Sequence, residues 1–118
     1  MTDHRDRPGS PSAGLRLLGE RLRRVAARRE GDHPVLVLPA VAPGTQILLG
    51  RSRASDVRFL EPTVSRRHAA LQRVEGGWLL VDRASTHGTF VNGRRVERAI
   101  VADGDRVRLG HAAMVIRL

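Results

Sequence analysis

The chain has no cysteine, no lysine and no tyrosine, and only 3% of it is aromatic. Without cysteine there is no disulfide, no thiolate nucleophile and no cysteine-based metal site. Without lysine there is no Gly-x-x-x-x-Gly-Lys phosphate loop. So few aromatics leave little for nucleic-acid bases to stack on. No apolar run approaches the roughly 18 residues of a membrane helix. The first residues, with Asp3, Arg5, Asp6 and Arg7, lack the apolar stretch of a signal peptide, so the expected location is the cytoplasm, without membrane insertion. No pair of the five histidines has metalloprotease spacing, and Asp103 and Asp105 lack the further oxygen ligands of a calcium loop. The expectation is therefore no metal and no cofactor.

What is present is a short, basic, ordinary globular composition. At 118 residues and 41% hydrophobic, the chain suits one domain. Its net charge is +9, and all 21 basic residues are arginine. The excess is spread along the chain: eight arginines face five acids in residues 1–34, and thirteen face seven in 35–118. That spread argues against a basic nucleic-acid-binding arm. A guanidinium fork matches phosphate geometry better than an ammonium point charge does. The exclusive use of arginine also points to GC-rich coding and a bacterial source.

Residues 1–14 are rich in Pro, Gly and Ser without periodicity, and read as a disordered tail. Over 15–30, Leu15, Leu18, Leu22, Val25 and Ala26 fall within an arc of about 100° on a helical wheel. This predicts an amphipathic basic helix, with Gly19 a blemish, Leu17 off the stripe and Gly31 a stop. From Val35 the period changes to that of strands. Short extended runs appear at 35–38, 46–49, 57–59, 69–74, 78–81, 89–91, 94–96, 106–109 and 114–116. Asn92-Gly93 between two of them is the signature of a type I′ hairpin. Many short strands at close spacing predict an all-β sandwich or barrel. Trp78, followed by Leu79-Leu80-Val81, reads as core.

Three loop clusters carry the chemistry: Gly50-Arg51-Ser52, Val64-Ser65-Arg66-Arg67-His68-Ala69, and Ser85-Thr86-His87-Gly88 running into Asn92-Gly93. Guanidinium forks, hydroxyls and bend-forming residues on neighbouring loops make an oxyanion site without a metal. Arg66 and Arg67 alternate, so only one is expected to face such a site while the other is solvated.

In order and spacing these pieces resemble the forkhead-associated (FHA) domain, a phosphothreonine-binding module. The match runs through Gly50-Arg51, Ser55-Asp56-Val57, Ser65-Arg66-Arg67-His68-Ala69, Asp82, Ser85 to Gly93, and Asp103-Gly104-Asp105-Arg106-Val107 into Leu109-Gly110, over roughly 34–118. The resemblance implies a twisted β-sandwich of two sheets with about eleven short strands, its ligand held by loops at one end. It implies phosphate contacts from Arg51, Ser65, Arg66 and Thr86. It gives structural support of that site to Gly50, His68, Gly88, Asn92 and Gly93. Where the family commonly has Asn to hold the ligand backbone, this chain has His87, whose imidazole still offers a donor and an acceptor. The implied partner is a phosphothreonine-containing protein modified by a Ser/Thr kinase upstream. Side chains expected to read the residues after the phosphothreonine are Thr63, Arg66, Arg83 and Arg94.

The competing readings are weaker. Ser65, His68 and Asp82 are the residue types of a hydrolytic triad, but no Gly-x-Ser-x-Gly elbow surrounds Ser65, so no enzyme is expected. A phospho-independent interaction or scaffold module, using the sheet face or the 15–30 helix, is the main alternative. Binding of nucleic acid or a membrane surface by the basic helix is permitted by charge but lacks aromatic side chains. Thr2 is the sole threonine of the tail, and its phosphorylation would offer an autoinhibitory ligand in cis.

Overall fold

The computed structural model of the chain describes residues 15–17, 26–30 and 33–118, with side chains from Pro34 onward. Twelve strands lie among the described residues: β1 (Leu15–Leu17), β2 (Ala26–Glu30), β3 (His33–Val37), β4 (Gln46–Gly50), β5 (Val57–Phe59), β6 (Ala69–Val74), β7 (Gly77–Asp82), β8 (Thr89–Val91), β9 (Arg94–Val96), β10 (Arg98–Val101), β11 (Arg106–Leu109) and β12 (Ala112–Arg117). They form two six-stranded sheets, ordered β1-β5-β4-β6-β7-β10 and β2-β3-β12-β11-β8-β9. All pairs are antiparallel except β4 with β5 and β3 with β12.

Alternation decides what fills the space between the sheets. In β4, Ile47 and Leu49 are buried while Gln46 is exposed; in β11, Val107 and Leu109 are buried while Arg106 is exposed. Leu36, Phe59, Leu71, Trp78, Leu80, Met114 and Ile116 are among the other core residues. A one-residue slip of any of these strands would turn its apolar set to water, so the pattern also fixes the register. The expected sandwich is therefore the observed one, with Trp78 in its core.

The Asn92-Gly93 hairpin is also as expected. Val91 pairs with Arg94, and both turn residues have positive φ, 50° at Asn92 and 84° at Gly93, as a type I′ turn requires.

The N-terminal segment differs. The described residues contain no helix, and both ends of the segment expected to be helical are strand. Leu15–Leu17 pairs with β5, and Ala26–Glu30 pairs with β3. The physical reason lies in the sheet edges, where β5 and β3 would each present a row of unpaired N–H and C=O groups. Extended pairing satisfies those groups, while Gly19 costs a helix about 1 kcal/mol relative to Ala. Leu17, the residue off the helical stripe, fits a two-residue period with Leu15. The rest of that segment, 18–25, and the expected disordered tail of 1–14, with Thr2, lie outside the described residues.

Candidate functional site

The loops after β4, before β6 and between β7 and β8 meet at one end of the sandwich. Two backbone bonds join the first two: Arg51 N–H donates to Ser65 O at 3.0 Å and Ser52 N–H donates to Arg66 O at 3.1 Å. Gly50 makes this approach possible, since a Cβ there would lie 2.0 Å from Arg66 O. The Arg51 side chain is pinned as well, its Nε donating to Val64 O at 2.9 Å. Arg58 Nε in turn donates to Arg51 O at 3.0 Å. With Nε engaged, the two terminal amino groups of Arg51 remain as charged donors in a fixed fork.

Ser65 is held at three atoms. Its N–H donates to His68 Nδ1 at 3.0 Å, its carbonyl accepts from Arg51, and its Oγ accepts from Thr86 N–H at 3.1 Å. An Oγ that already accepts keeps its proton for an incoming oxygen. Ser65 thus keeps a donor proton on the loop that is bonded to the backbone of Arg51. Thr86 contributes its backbone to this arrangement, and its side chain is exposed next to it, as are Arg66 and His87.

Beneath the loops sits His68, fully buried. Its Nδ1 accepts from Ser65, so the proton is on Nε2, 3.0 Å from Gly88 O. One neutral ring therefore ties two of the three loops together. Burial pushes its pKa below the ordinary value of 6.5; the Gly88 bond and the Asp82 charge oppose this, and His87 adds to it.

The 83–88 loop has its own brace. Asp82 Oδ1 accepts from Ser85 Oγ and from Thr89 Oγ1, each at 2.6 Å, and Oδ2 accepts from Ser85 N–H at 3.1 Å. Ser85 Oγ accepts in turn from Gly88 N–H at 3.0 Å. Burial works against the Asp82 charge, but the bonds from Ser85 and Thr89 outweigh it and hold the pKa below 3.8. Gly88, at φ 90°, presents its carbonyl both to His68 and to Gly110 N–H, the latter at 3.0 Å.

Of the residues expected at the site, Gly50, Arg51, Ser65, Arg66, His68, Thr86, His87 and Gly88 belong to this loop cluster. Asn92 and Gly93 serve the adjoining hairpin instead. The Asn92 side chain donates to Asp105 Oδ1 at 3.0 Å and accepts from Arg106 N–H at 2.9 Å. Reading by sequence did not assign roles to Asp82, Ser85 and Thr89. The available signal was an Asp three residues before a Ser, the spacing of a local side-chain-to-backbone turn.

The arginine excess also divides. Arg108 stacks 3.8 Å over the Phe90 ring, and Arg117 pairs with Asp103 at 3.6 Å. Around the three loops, Arg51, Arg66, Arg67 and Arg83 face no carboxylate among the described residues, while Asp82 is committed to the internal brace. The loop end therefore carries an excess of positive charge. Among the described residues there is no group of His, Asp and Glu placed to hold a metal, and no helix long and apolar enough to cross a membrane.

The comparisons with known proteins agree with this geometry. The FHA domain model matches residues 47–110. The glycogen accumulation regulator GarA of Mycolicibacterium smegmatis is 45% identical over 67 residues, 56% of this chain and 42% of that protein. The FHA domain-containing protein FhaA of Mycobacterium tuberculosis is 38% identical over 71 residues, 60% of this chain and 14% of that one. The chain thus spans less than half the length of these curated relatives. Among solved structures, one described by phosphothreonine-dependent FHA domain interactions has a TM-score of 0.64 at 30% identity, covering 80% of this chain and 93% of that one. The FhaA FHA domain, crystallised with the intracellular domain of Rv3910, has a TM-score of 0.61 at 30% identity, covering 77% and 94%. These relatives are bacterial. Two sheets closing on one core, the Ser65–His68–Gly88 bridge between loops and the match over 47–110 lead to one conclusion: the chain belongs to the FHA domain family.

Proposed function

We propose that this domain is a phosphothreonine-dependent protein-binding adaptor, docking on partners that a Ser/Thr kinase has modified. The observation that carries the reading is the preset pair of donors at the loop end. Arg51 is pinned through Nε on Val64 O, and Ser65 Oγ accepts from Thr86 N–H, which leaves its own proton for a ligand. A phosphate dianion takes the Arg51 fork and the Ser65 hydroxyl without reorganising either. Arg66 and the Thr86 hydroxyl stand at the rim for further oxygens, and His87 replaces the family's Asn as the contact to peptide backbone. Gly50, His68 and Gly88 hold the loops, and Asn92 and Gly93 hold the hairpin behind them.

The role is recognition, not catalysis, in keeping with relatives named as a regulator of glycogen accumulation and an inhibitor of oxoglutarate dehydrogenase. We place it in the cytoplasm, with the kinase that writes its ligand. Calorimetry with matched phosphothreonine, phosphoserine and unmodified peptides tests the proposal. Binding that requires phosphothreonine and is lost in Arg51→Ala supports it. Equal weak binding of all three peptides overturns it and favours a phospho-independent interaction module.

A further inference from the structure

His87 stands between two anchored neighbours. On one side, Thr86 N–H donates to Ser65 Oγ at 3.1 Å. On the other, Gly88 O is 3.0 Å from His68 Nε2, and Gly88 N–H donates to Ser85 Oγ at 3.0 Å. Adjacent Cα atoms are about 3.8 Å apart, so these tethers fix the backbone of His87 beside the Ser65 hydroxyl. The side chain is exposed, and among the described residues it has no hydrogen-bond or ion-pair partner.

The charges that face this loop are mostly positive. Arg51, Arg66 and Arg67 come from the two loops it meets, and Arg83 is its own. Arg95 stands beside Gly88, where a Cβ would lie 3.0 Å from its Nε. His111 follows Gly110, whose N–H donates to Gly88 O. Of the carboxylates, Asp82 is taken by Ser85 and Thr89, and Glu61 by Thr63. Glu97 meets the loop at its foot, where its carbonyl accepts from Asp82 N–H. None of these offers a protonated His87 an anionic partner at the loop tip. A phosphate seated on Arg51 and Ser65 does.

The proton decides what the ring can donate. A neutral imidazole has one N–H to give, and an imidazolium has two. With its one N–H on a peptide carbonyl, a neutral ring turns only a lone pair to a phosphate oxygen. Protonation converts that nitrogen into a charged donor. Histidine ordinarily titrates at about 6.5, so the proton is within reach near neutral pH. We propose that His87 takes up a proton from solvent when phosphothreonine binds and becomes a charged ligand of the phosphate, so that lower pH, down to about 6.5, favours binding. This rests on the phosphothreonine reading above and adds a proton as a second, co-bound ligand. The buried ring is shielded from the same change. Burial is the main cause of the low His68 pKa, and the charge of His87 adds to it. A proton on His87 thus helps to keep His68 neutral, as the bridge from Ser65 to Gly88 requires.

The test uses the full chain, one phosphothreonine peptide and the variant His87→Asn, whose carboxamide keeps two donor protons at every pH. Calorimetry at pH 7 in buffers of different ionisation enthalpy counts the protons taken up on binding. The phosphate itself titrates at about 6, but it does so with both proteins and drops out of the comparison. The parent should take up more protons than His87→Asn. Between pH 8 and 6.5 its affinity should gain about two- to fivefold relative to the variant, as a partly exposed ion pair allows. In NMR titrations the His87 ring should keep its proton to higher pH with the peptide bound than without. If parent and variant take up the same protons and follow pH alike, the proposal is refuted while the phosphothreonine reading stands. If an unmodified threonine peptide gives the parent the same pH dependence, His87 does not answer to phosphate and the proposal is refuted. Should the variant fail to fold, the parent's ring titration decides, and a midpoint unmoved by the peptide refutes the proposal. If neither protein binds the phosphopeptide anywhere between pH 6.5 and 8, both readings fall.

Discussion

Gly50→Ala is a small change with a large expected effect. The added methyl carbon would lie 2.0 Å from Arg66 O, 2.9 Å from Arg66 C and 3.0 Å from Ser55 Oγ. Two of these atoms are backbone, so no side chain can swing aside. Restoring an ordinary contact requires the 65–67 segment to retreat by about 1.4 Å, which is overpacking worth about 1–3 kcal/mol. In a domain of this size each kcal/mol is about 4–8 °C in melting temperature, so the expected loss is about 4–24 °C. The same retreat lengthens the bond from Ser52 N–H to Arg66 O and draws Ser65 away from Arg51 and Thr86. Loss of one charge-assisted bond to phosphate, about 1.5–3 kcal/mol, weakens phosphopeptide binding about 10- to 150-fold. Gly77→Ala is the control, because its new carbon meets only Ile100 Cγ2 at an ordinary 3.6 Å. Thermal melts and calorimetry on both variants check the reasoning. A Gly50→Ala protein that melts within about 2 °C of the parent and binds phosphopeptide equally well would refute it.

Further predictions concern the same loops. Ser65→Ala should weaken phosphopeptide binding about 10- to 150-fold in calorimetry, with little loss of stability because the Thr86 N–H it frees can turn to water. His68 has a folded pKa below its ordinary 6.5, so its contribution to stability is complete above that value and is lost as pH falls through the folded pKa. Melting temperature should therefore decline from pH 7.5 to pH 5.5, and the decline should be smaller in His68→Gln. Asp82 is also lowered, below 3.8, so its stabilisation is complete above that value and is lost as pH falls through the folded pKa. Asp82→Asn should lose about 1.5–3 kcal/mol in urea unfolding at pH 7, and should show none of that acid-range decline. Phosphopeptide affinity should weaken with added salt, since arginines surround the loops; a flat dependence between 50 and 500 mM NaCl would contradict the charge argument.

Much of the fold could be read before any coordinates. The short apolar run of Gln46–Leu49, the alternation of Arg106–Leu109 and the Asn92-Gly93 pair are local signals, and local signals survive in a sequence. Arg98–Val101 carried no such signal, because its strand character comes from pairing with β7 at the edge of a sheet. Residues 15–17 and 26–30 misled for a related reason. Leucines spaced for a helical stripe also contain the two-residue step of Leu15 and Leu17, and the choice between them was made by the unpaired edges of β5 and β3. In the loops, residue types announced an anion receptor. What joins Ser65 to Gly88 through His68, or Thr89 to Asp82, depends on chain segments brought together by both sheets, and no spacing rule encodes it.

The hairpin of β2 and β3 has a mechanical meaning. Ala26 pairs opposite Val37, and Val37 lies beside Arg117 in the parallel pair of β3 and β12. The first residue of β2 and the last of β12 therefore stand about 10 Å apart, two strand spacings. Ala112, at the start of β12, is paired with Leu109 and so with Thr89, next to the binding loops. The length of β12, about 20 Å, thus separates the loops from the end of the sheet where Val37 and Arg117 lie side by side. A load applied at Arg117 would therefore act first on the rear of the sandwich, about 20 Å from the reading loops.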